Sequence, residues 1–213
     1  MGRNESLSFL TNFTNLQVLV LSDFEVKGFQ ALHHVNFTRL KVLKFNGERP
    51  YHADLMKFLE RNGRNLELLR FHGDDDANDD YFNLNLMNFC PNLKTLRTRS
   101  EGDVGGLMNI LKGFQQLESL EVCKDYESIT IKIKLLEVVV NHAPKSFYEL
   151  KVRYEMMDEM DLSDFADNCD LKPVLMRWAN RMSRKPLSLI IIDENGLDLM
   201  VVAKFGQTGN SVN

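Results

Sequence analysis

The side chains best suited to chemistry are the histidines and cysteines, but their spacing favours neither catalysis nor metal binding. The histidines fall in different segments, and the adjacent His33 and His34 would point in divergent directions on any regular element. Cys90, Cys123 and Cys169 are widely spaced and odd in number, which indicates reduced thiols. Cys123 would act as a nucleophile only with a histidine close in space, and otherwise is a small packing residue. We therefore predict no catalytic residue and no metal ligand.

An acidic run is the other candidate for a chemical site. Its members are Asp74, Asp75, Asp76, Asp79 and Asp80. The run lacks the alternating ligands, central glycine and distal glutamate of a calcium loop, so a solvated loop that ends at a helix start is expected. The chain also contains no P-loop, GxGxxG, HExxH or GxSxG motif. We expect a non-enzymatic protein without a cofactor; the alternative is a hydrolase or transferase with an unrecognised site.

The elements that position these residues follow from a recurring triplet of leucine-like residues. Its first anchors are Leu16, Leu40, Leu66, Leu93, Leu117, Phe147 and Leu187, at intervals of 24, 26, 27, 24, 30 and 40 residues. Most of these intervals lie in the leucine-rich-repeat range of about 20 to 29. The pattern predicts strands near residues 16–21, 40–45, 66–71, 93–98, 117–122, 147–152 and 187–192. The second and third anchors of each copy should point inward.

The segments between the strands have a helical period. Leu107, Ile110, Leu111 and Phe114 are spaced i, i+3, i+4 and i+7, and other segments repeat this pattern. Gly63 is expected to end one helix in a left-handed conformation. The prediction is one α/β domain over residues 1–213, a leucine-rich-repeat solenoid (horseshoe) of about seven repeats with a parallel sheet on the concave face and helices on the convex face. An ordinary two-layer α/β domain is the alternative.

The two ends of the chain carry further expectations. Leu7, Leu10 and Phe13 resemble the tail of a preceding repeat, and no polar cap follows Lys204, so both ends are expected to be truncated and open to self-association. After residue 193, either a hairpin at Asn195-Gly196 or a helix could follow, and the helix is preferred.

Composition bears on the compartment. A hydrophobic fraction of 44% and a charged fraction of 26%, without a long apolar stretch or an N-terminal signal core, predict an intracellular protein that does not insert into membranes. Cytoplasmic and nuclear locations both stay open.

The outward side chains of the strands form the predicted binding surface. Residues that lie between inward anchors must face the other way and should line up across neighbouring strands. This places a group of basic side chains on the concave face: Lys44, Arg70, His72, Arg97, Arg99, Lys151 and Arg153. We predict that they bind an acidic segment of a partner protein through charge-assisted hydrogen bonds, against the alternative of a solvated charged face. Nucleic acid is not favoured, because the net charge is −4 and no aromatic platform accompanies the basic residues.

Three stretches resemble the leucine-rich-repeat region of fungal F-box proteins. They are Leu55–Leu66, Phe89–Leu96 and Trp178–Ile192, and the Cys90-Pro91-Asn92-Leu93 form is typical of cysteine-containing repeats. The resemblance implies a substrate receptor of a cullin-type ubiquitin ligase. An F-box has no room before Leu16, so binding of a Skp-type adaptor is expected only of a longer form. A leucine-rich-repeat adaptor unrelated to ubiquitin is the alternative.

Overall fold

The computed structural model describes residues 7–22, 26–72, 80–99, 104–124, 129–154, 172–181, 185–192 and 198–205. The chain forms two compact units, Met1–Arg97 and Thr98–Asn213. Within the described part of the chain, none of the helices combines the length and the apolar character that crossing a bilayer requires.

The first unit alternates strands with helical segments. In chain order, its elements are a 3₁₀ helix Leu7–Asn12, β1 Val18–Ser22, a 3₁₀ helix Val26–Leu32, β2 Val42–Asn46, α1 His52–Asn62, a 3₁₀ turn Gly63–Asn65, β3 Leu68–His72, α2 Asp80–Phe89 and β4 Thr95–Arg99, within which the boundary between the units falls. The strands pair in parallel in the order β1-β2-β3-β4.

The second unit follows the same alternation. Its elements are α3 Val104–Gly113, β5 Ser119–Lys124, α4 Ile129–His142, β6 Glu149–Tyr154, α5 Lys172–Ala179, β7 Leu187–Ile192 and β8 Asp198–Phe205. β5, β6 and β7 are parallel neighbours. The predicted α/β class with parallel strands in chain order is confirmed within each unit.

Each of the first six strands begins two residues after the first anchor of its triplet, because that anchor lies in a tight turn instead. Its amide donates to the carbonyl three residues earlier. These bonds are Leu16 to Phe13, Leu40 to Phe37, Leu66 to Gly63, Leu93 to Cys90, Leu117 to Phe114 and Phe147 to Pro144, all at 2.9–3.2 Å. The same local geometry therefore recurs in every one of these copies.

One carbonyl just before a strand accepts two hydrogen bonds from the following copy of the triplet. The Gln17 oxygen accepts from the amides of Lys41 and Val42 at 2.8 and 3.0 Å. The same pair of bonds is made to the carbonyls of Lys41, Glu67 and Glu118. We call this oxygen the shared carbonyl. It fixes which residue of one strand lies beside which residue of the next.

The core lies on the inward side of the strands, under the helices. In β1 the alternation of exposed and buried residues places Leu19 and Leu21 inward. In the first unit the Phe45 and Phe71 rings stack in parallel at 5.5 Å, and Phe29 bridges Phe45 to Phe58 on α1. These aromatic pairs stabilise the fold by more than the burial of their apolar area alone would.

Asn62 joins three backbone groups of two segments inside the first unit. Its side chain is buried, its Oδ1 accepts a hydrogen bond from the Phe37 amide at 2.6 Å, and its Nδ2 donates to the carbonyls of Val35 and Phe58 at 3.0 Å. An amide side chain offers both the acceptor and the two donors that this position uses. Asn62 therefore ties the last turn of α1 to the turn that precedes β2.

The seventh triplet differs from its prediction. Leu189 and Ile191 are buried and pair with Leu150 and Val152, whereas Ile190 had been expected to point inward and Ile191 outward. The reason is that Leu187 lies in the strand itself, so the two-residue alternation starts there. The predicted Leu187, Ile190, Ile192 anchor set is wrong in this respect.

The preferred helix after residue 193 is also wrong. Asp198–Phe205 is a strand, β8, that pairs antiparallel with β7 and places Val201 beside Ile190 and Met200 beside Ile191. The free edge of β7 supplies hydrogen-bonding partners, and β-branched residues such as Val201 suit a strand. The connecting residues 193–197 lie outside the described residues.

Gly63 is required for a reason other than the predicted one. Its φ of −76° and ψ of −22° are right-handed helical values, so no left-handed cap is formed. A Cβ at this position would lie 2.7 Å from Cys90 Sγ and 2.8 Å from the Phe89 carbonyl oxygen. Gly63 therefore permits the close approach of α2's end to the turn before β3.

Removing the Asn62 side chain should destabilise the protein strongly. We expect Asn62→Ala to lower the free energy of unfolding by about 2–4 kcal/mol, because three hydrogen bonds are lost and buried backbone groups are left unpaired. Urea denaturation measures the change. Asn65→Ala is the control, since Asn65 makes one exposed bond to the Thr38 carbonyl and should cost about 1 kcal/mol or less. Equal losses in the two variants would contradict the assigned role.

Adding one methyl group at Gly63 should also be unfavourable. We expect Gly63→Ala to lower the free energy of unfolding by about 1–3 kcal/mol, because the Phe89 carbonyl cannot move away without shifting the backbone. Gly113→Ala, at an exposed helix end, is the matched control and should change stability by about 0.5 kcal/mol or less. A stabilised Gly63→Ala protein would show that the turn has room to relax.

Candidate functional site

The outward side of β1, β2 and β3 is a regular grid of side chains. One row across the strands is Val18, Val42 and Leu68; the next is Val20, Lys44 and Arg70; the third is Ser22 and Asn46, with the backbone of His72 in register beside Asn46. Neighbouring strands lie about 4.8 Å apart, and successive rows about 7 Å apart. The predicted alignment of Lys44 with Arg70 is therefore present. We call these nine positions the first-unit face.

The predicted basic residues of the first unit are not equally accessible. Arg70 is exposed and Lys44 is half-buried. Arg97 is only 9% exposed, which corrects the expectation that it lies open on the surface. His72 and Arg99 end β3 and β4, and their side chains lie outside the described part of the structure. Lys44 and Arg70 are thus the predicted site residues that the structure brings together with access to solvent.

The predicted basic residues of the second unit are engaged by glutamates of their own sheet. Arg153 Nε donates to Glu121 Oε1 at 3.0 Å, and both side chains are nearly buried, at 13% and 11% exposed. Lys151 Nζ lies 3.2 Å from Glu149 Oε1, which also accepts from Ser119 Oγ at 2.6 Å. Two acids and two bases here neutralise each other, so this part of the sheet has little charge left for a partner.

A further charge network lies beside the first-unit face, and the sequence analysis missed it. Glu67 lies between two lysines, with Oε1 2.9 Å from Lys41 Nζ and Oε2 2.7 Å from Lys94 Nζ. These residues each follow a first anchor by one position, so the column Gln17, Lys41, Glu67, Lys94 could have been found from the repeat alignment. Hydrogen bonds from Lys41 and then Lys94 lower the pKa of Glu67 to about 2.

Among the residues that the structure describes, the candidates for catalysis do not form a reactive site. Burial raises the pKa of the Cys90 thiol to about 12, which suppresses the nucleophilic thiolate, and Cys123 is also buried. His33 Nε2 lies 3.2 Å from Asp54 Oδ1 without hydrogen-bond geometry, and Gln30 donates to Asp54 Oδ2 at 3.1 Å. A carboxylate in the first turn of α1 also suits the helix dipole. A packing and capping role accounts for this cluster.

Among the described residues, no group of three or more His, Cys, Asp and Glu side chains could hold a metal ion. The acidic run at positions 74–79 and Cys169 lie outside the described residues, so their predicted roles stay predictions.

No protein-family model and no curated protein sequence matches this chain.

Acid should weaken the Glu67 network. A carboxylate with a lowered pKa contributes stability above its unfolded pKa, near 4.5, and loses that contribution as the pH falls toward about 2. We expect Glu67→Gln to reduce the free energy of unfolding by about 1 kcal/mol at pH 7, a value limited by solvent screening of a partly exposed pair. Urea denaturation from pH 7 to pH 3 measures it.

The difference between wild type and Glu67→Gln should shrink steadily below about pH 4.5. Glu60→Gln, an exposed glutamate on α1, serves as the control and should show little difference at any pH. A Glu67→Gln difference that stays constant down to pH 3 would contradict the assigned pKa.

Proposed function

We propose that this chain is a leucine-rich-repeat solenoid of the horseshoe type that binds a partner protein on the outward face of its sheet. The support is the recurrence of one local geometry. The same turn, the same shared carbonyl and the same strand register return in successive copies, which is how each repeat of a solenoid places its side chains in columns. Such columns form an extended surface suited to a protein segment.

The charge of the first-unit face supports protein binding by electrostatic complementarity. Lys44 and Arg70 lie side by side in register, and Arg70 is exposed. A lysine and an arginine about 5 Å apart can together bind a carboxylate pair, and the guanidinium can make two parallel hydrogen bonds. This pair is the single observation on which the proposed binding function depends.

The resemblance to F-box leucine-rich-repeat proteins extends the proposal to a role in the cell. In that role the chain recognises a protein destined for ubiquitination, inside the cytoplasm or nucleus, and performs no covalent chemistry itself. A longer form that carries an F-box would bind the Skp-type adaptor and the cullin. Burial of Cys90, which raises the pKa of its thiol, disfavours a nucleophile at this position.

Reversing the two charges tests the binding function. We expect the double variant Lys44→Glu, Arg70→Glu to reduce capture of partner proteins about tenfold or more, because repulsion replaces attraction at the centre of the site. Tagged protein is used for affinity capture, and the bound proteins are quantified by mass spectrometry. Proteins that fall in abundance with this variant are the specific partners.

The matched control is Lys57→Glu with Arg61→Glu, which makes the same change in net charge on the exposed surface of α1. This variant should keep the partners that the wild-type protein captures. If both double variants lose the same proteins, or if neither loses any, the first-unit face is not the binding surface. Ubiquitin-ligase subunits among the retained proteins would support the role in ubiquitination.

A further inference from the structure

The first-unit face combines an aliphatic row with a basic pair. Val18 is 53% exposed and lies beside the half-buried Val42 and Leu68. One row further along the strands, Val20 is 45% exposed and lies beside Lys44. Exposed valines at adjacent outward positions form a contiguous apolar strip beside two positive charges. We call Val18, Val42 and Leu68 the aliphatic row, and Lys44 and Arg70 the basic pair.

The outward strand positions of the first unit whose side chains the structure describes include no aspartate or glutamate. They are Val18, Val20, Ser22, Val42, Lys44, Asn46, Leu68, Arg70, Thr95 and Arg97. In the second unit, by contrast, Glu121 and Glu149 occupy outward positions and neutralise Arg153 and Lys151. Outward strand positions therefore include glutamates in the second unit, whereas those named in the first unit do not.

We infer that the first-unit face binds an extended acidic segment of a protein in which an aliphatic and an acidic residue stand two positions apart. This inference rests on the proposed binding function and specifies its ligand. Residues two apart in an extended chain point to the same side and are separated by about 7 Å, which equals the spacing between rows. The aliphatic side chain covers the aliphatic row while the carboxylate reaches the basic pair.

Physical complementarity favours this ligand over a nucleic acid. An apolar side chain that covers Val18, Val42 and Leu68 stabilises the complex, because it removes apolar surface from water. A phosphate backbone offers no such side chain. None of the ten described outward positions is Phe, Tyr or Trp, so these positions offer no platform for base stacking. Ser22 and Asn46, joined by a 3.3 Å hydrogen bond, border the basic pair with further polar groups.

Fluorescence anisotropy with defined peptides tests the inference on the whole chain. The probe is a labelled peptide that repeats Leu-Ser-Glu-Ser; the comparison peptides repeat Ser-Ser-Glu-Ser, Leu-Ser-Lys-Ser and Leu-Ser-Ser-Ser. We expect the first peptide to bind about tenfold more tightly than each of the other three, because only it satisfies both the aliphatic row and the basic pair. Its affinity should fall with added salt.

Substitutions on the first-unit face test whether the Leu-Ser-Glu-Ser peptide binds there. Lys44→Gln with Arg70→Gln should weaken the Leu-Ser-Glu-Ser peptide about tenfold and remove most of its salt dependence, whereas Val18→Thr with Val42→Thr should weaken it several-fold at unchanged salt dependence. Lys151→Gln, at an equivalent position already engaged by Glu149, is the matched control and should change affinity less than about twofold. Circular dichroism establishes that each variant is folded.

The results separate this inference from the broader function. Equal affinity for the four peptides, an equal effect of Lys151→Gln, or tighter binding of a single-stranded oligonucleotide than of the Leu-Ser-Glu-Ser peptide would overturn the inference. The broader binding function would still stand if the Lys44→Glu, Arg70→Glu protein lost partners that the Lys57→Glu, Arg61→Glu protein keeps. If the peptide preference holds and both sets of face variants reduce it, the ligand class is established.

Discussion

The alignment of outward side chains on β1–β4, and on β5 with β6, depends on the shared carbonyl that precedes a strand. By accepting two amides from the following copy of the triplet, as Gln17 does from Lys41 and Val42, it leaves a single register for the neighbouring strand. A slip of one residue would turn every buried leucine toward solvent, so the apolar core enforces the same register. The backbone bonds and the buried leucines therefore agree, and together they align Lys44 with Arg70.

Much of this architecture can be read from the sequence because it depends on local periodicity. The leucine spacing and the i, i+3, i+4 pattern of Leu107, Ile110 and Leu111 report burial directly, and the three residues are buried on α3. The prediction fails where a local pattern has two solutions. Within Leu187–Ile192, apolar residues occur both two and three positions after Leu187, so the sequence allows either set to face inward. The pairing with Leu150 and Val152 selects Leu189 and Ile191.

The candidate site was less predictable than the fold, because charge depends on neighbours that are distant in sequence. Lys151 occupies the same column of the triplet alignment as Lys44 and Arg70, yet Glu149 engages it from within β6. Arg153 pairs with Glu121 of the neighbouring strand, 32 residues earlier in the chain. Likewise, nothing local indicates that Arg97 is buried. An outward position can be assigned from alternation alone, but its availability to a partner requires the full set of surrounding side chains.

Because Gly63 lies close to Cys90, the reactivity of the Cys90 thiol reports local opening of the structure at this contact. The thiol is buried against the turn before β3 and has a pKa of about 12, so at neutral pH it reacts only when the contact between α1's end and α2's end opens. The alkylation rate of the Cys90 sulfur therefore measures how often the ends of α1 and α2 separate. Since the first-unit face spans the strands on either side of that turn, the same rate reports how persistently its rows stay aligned.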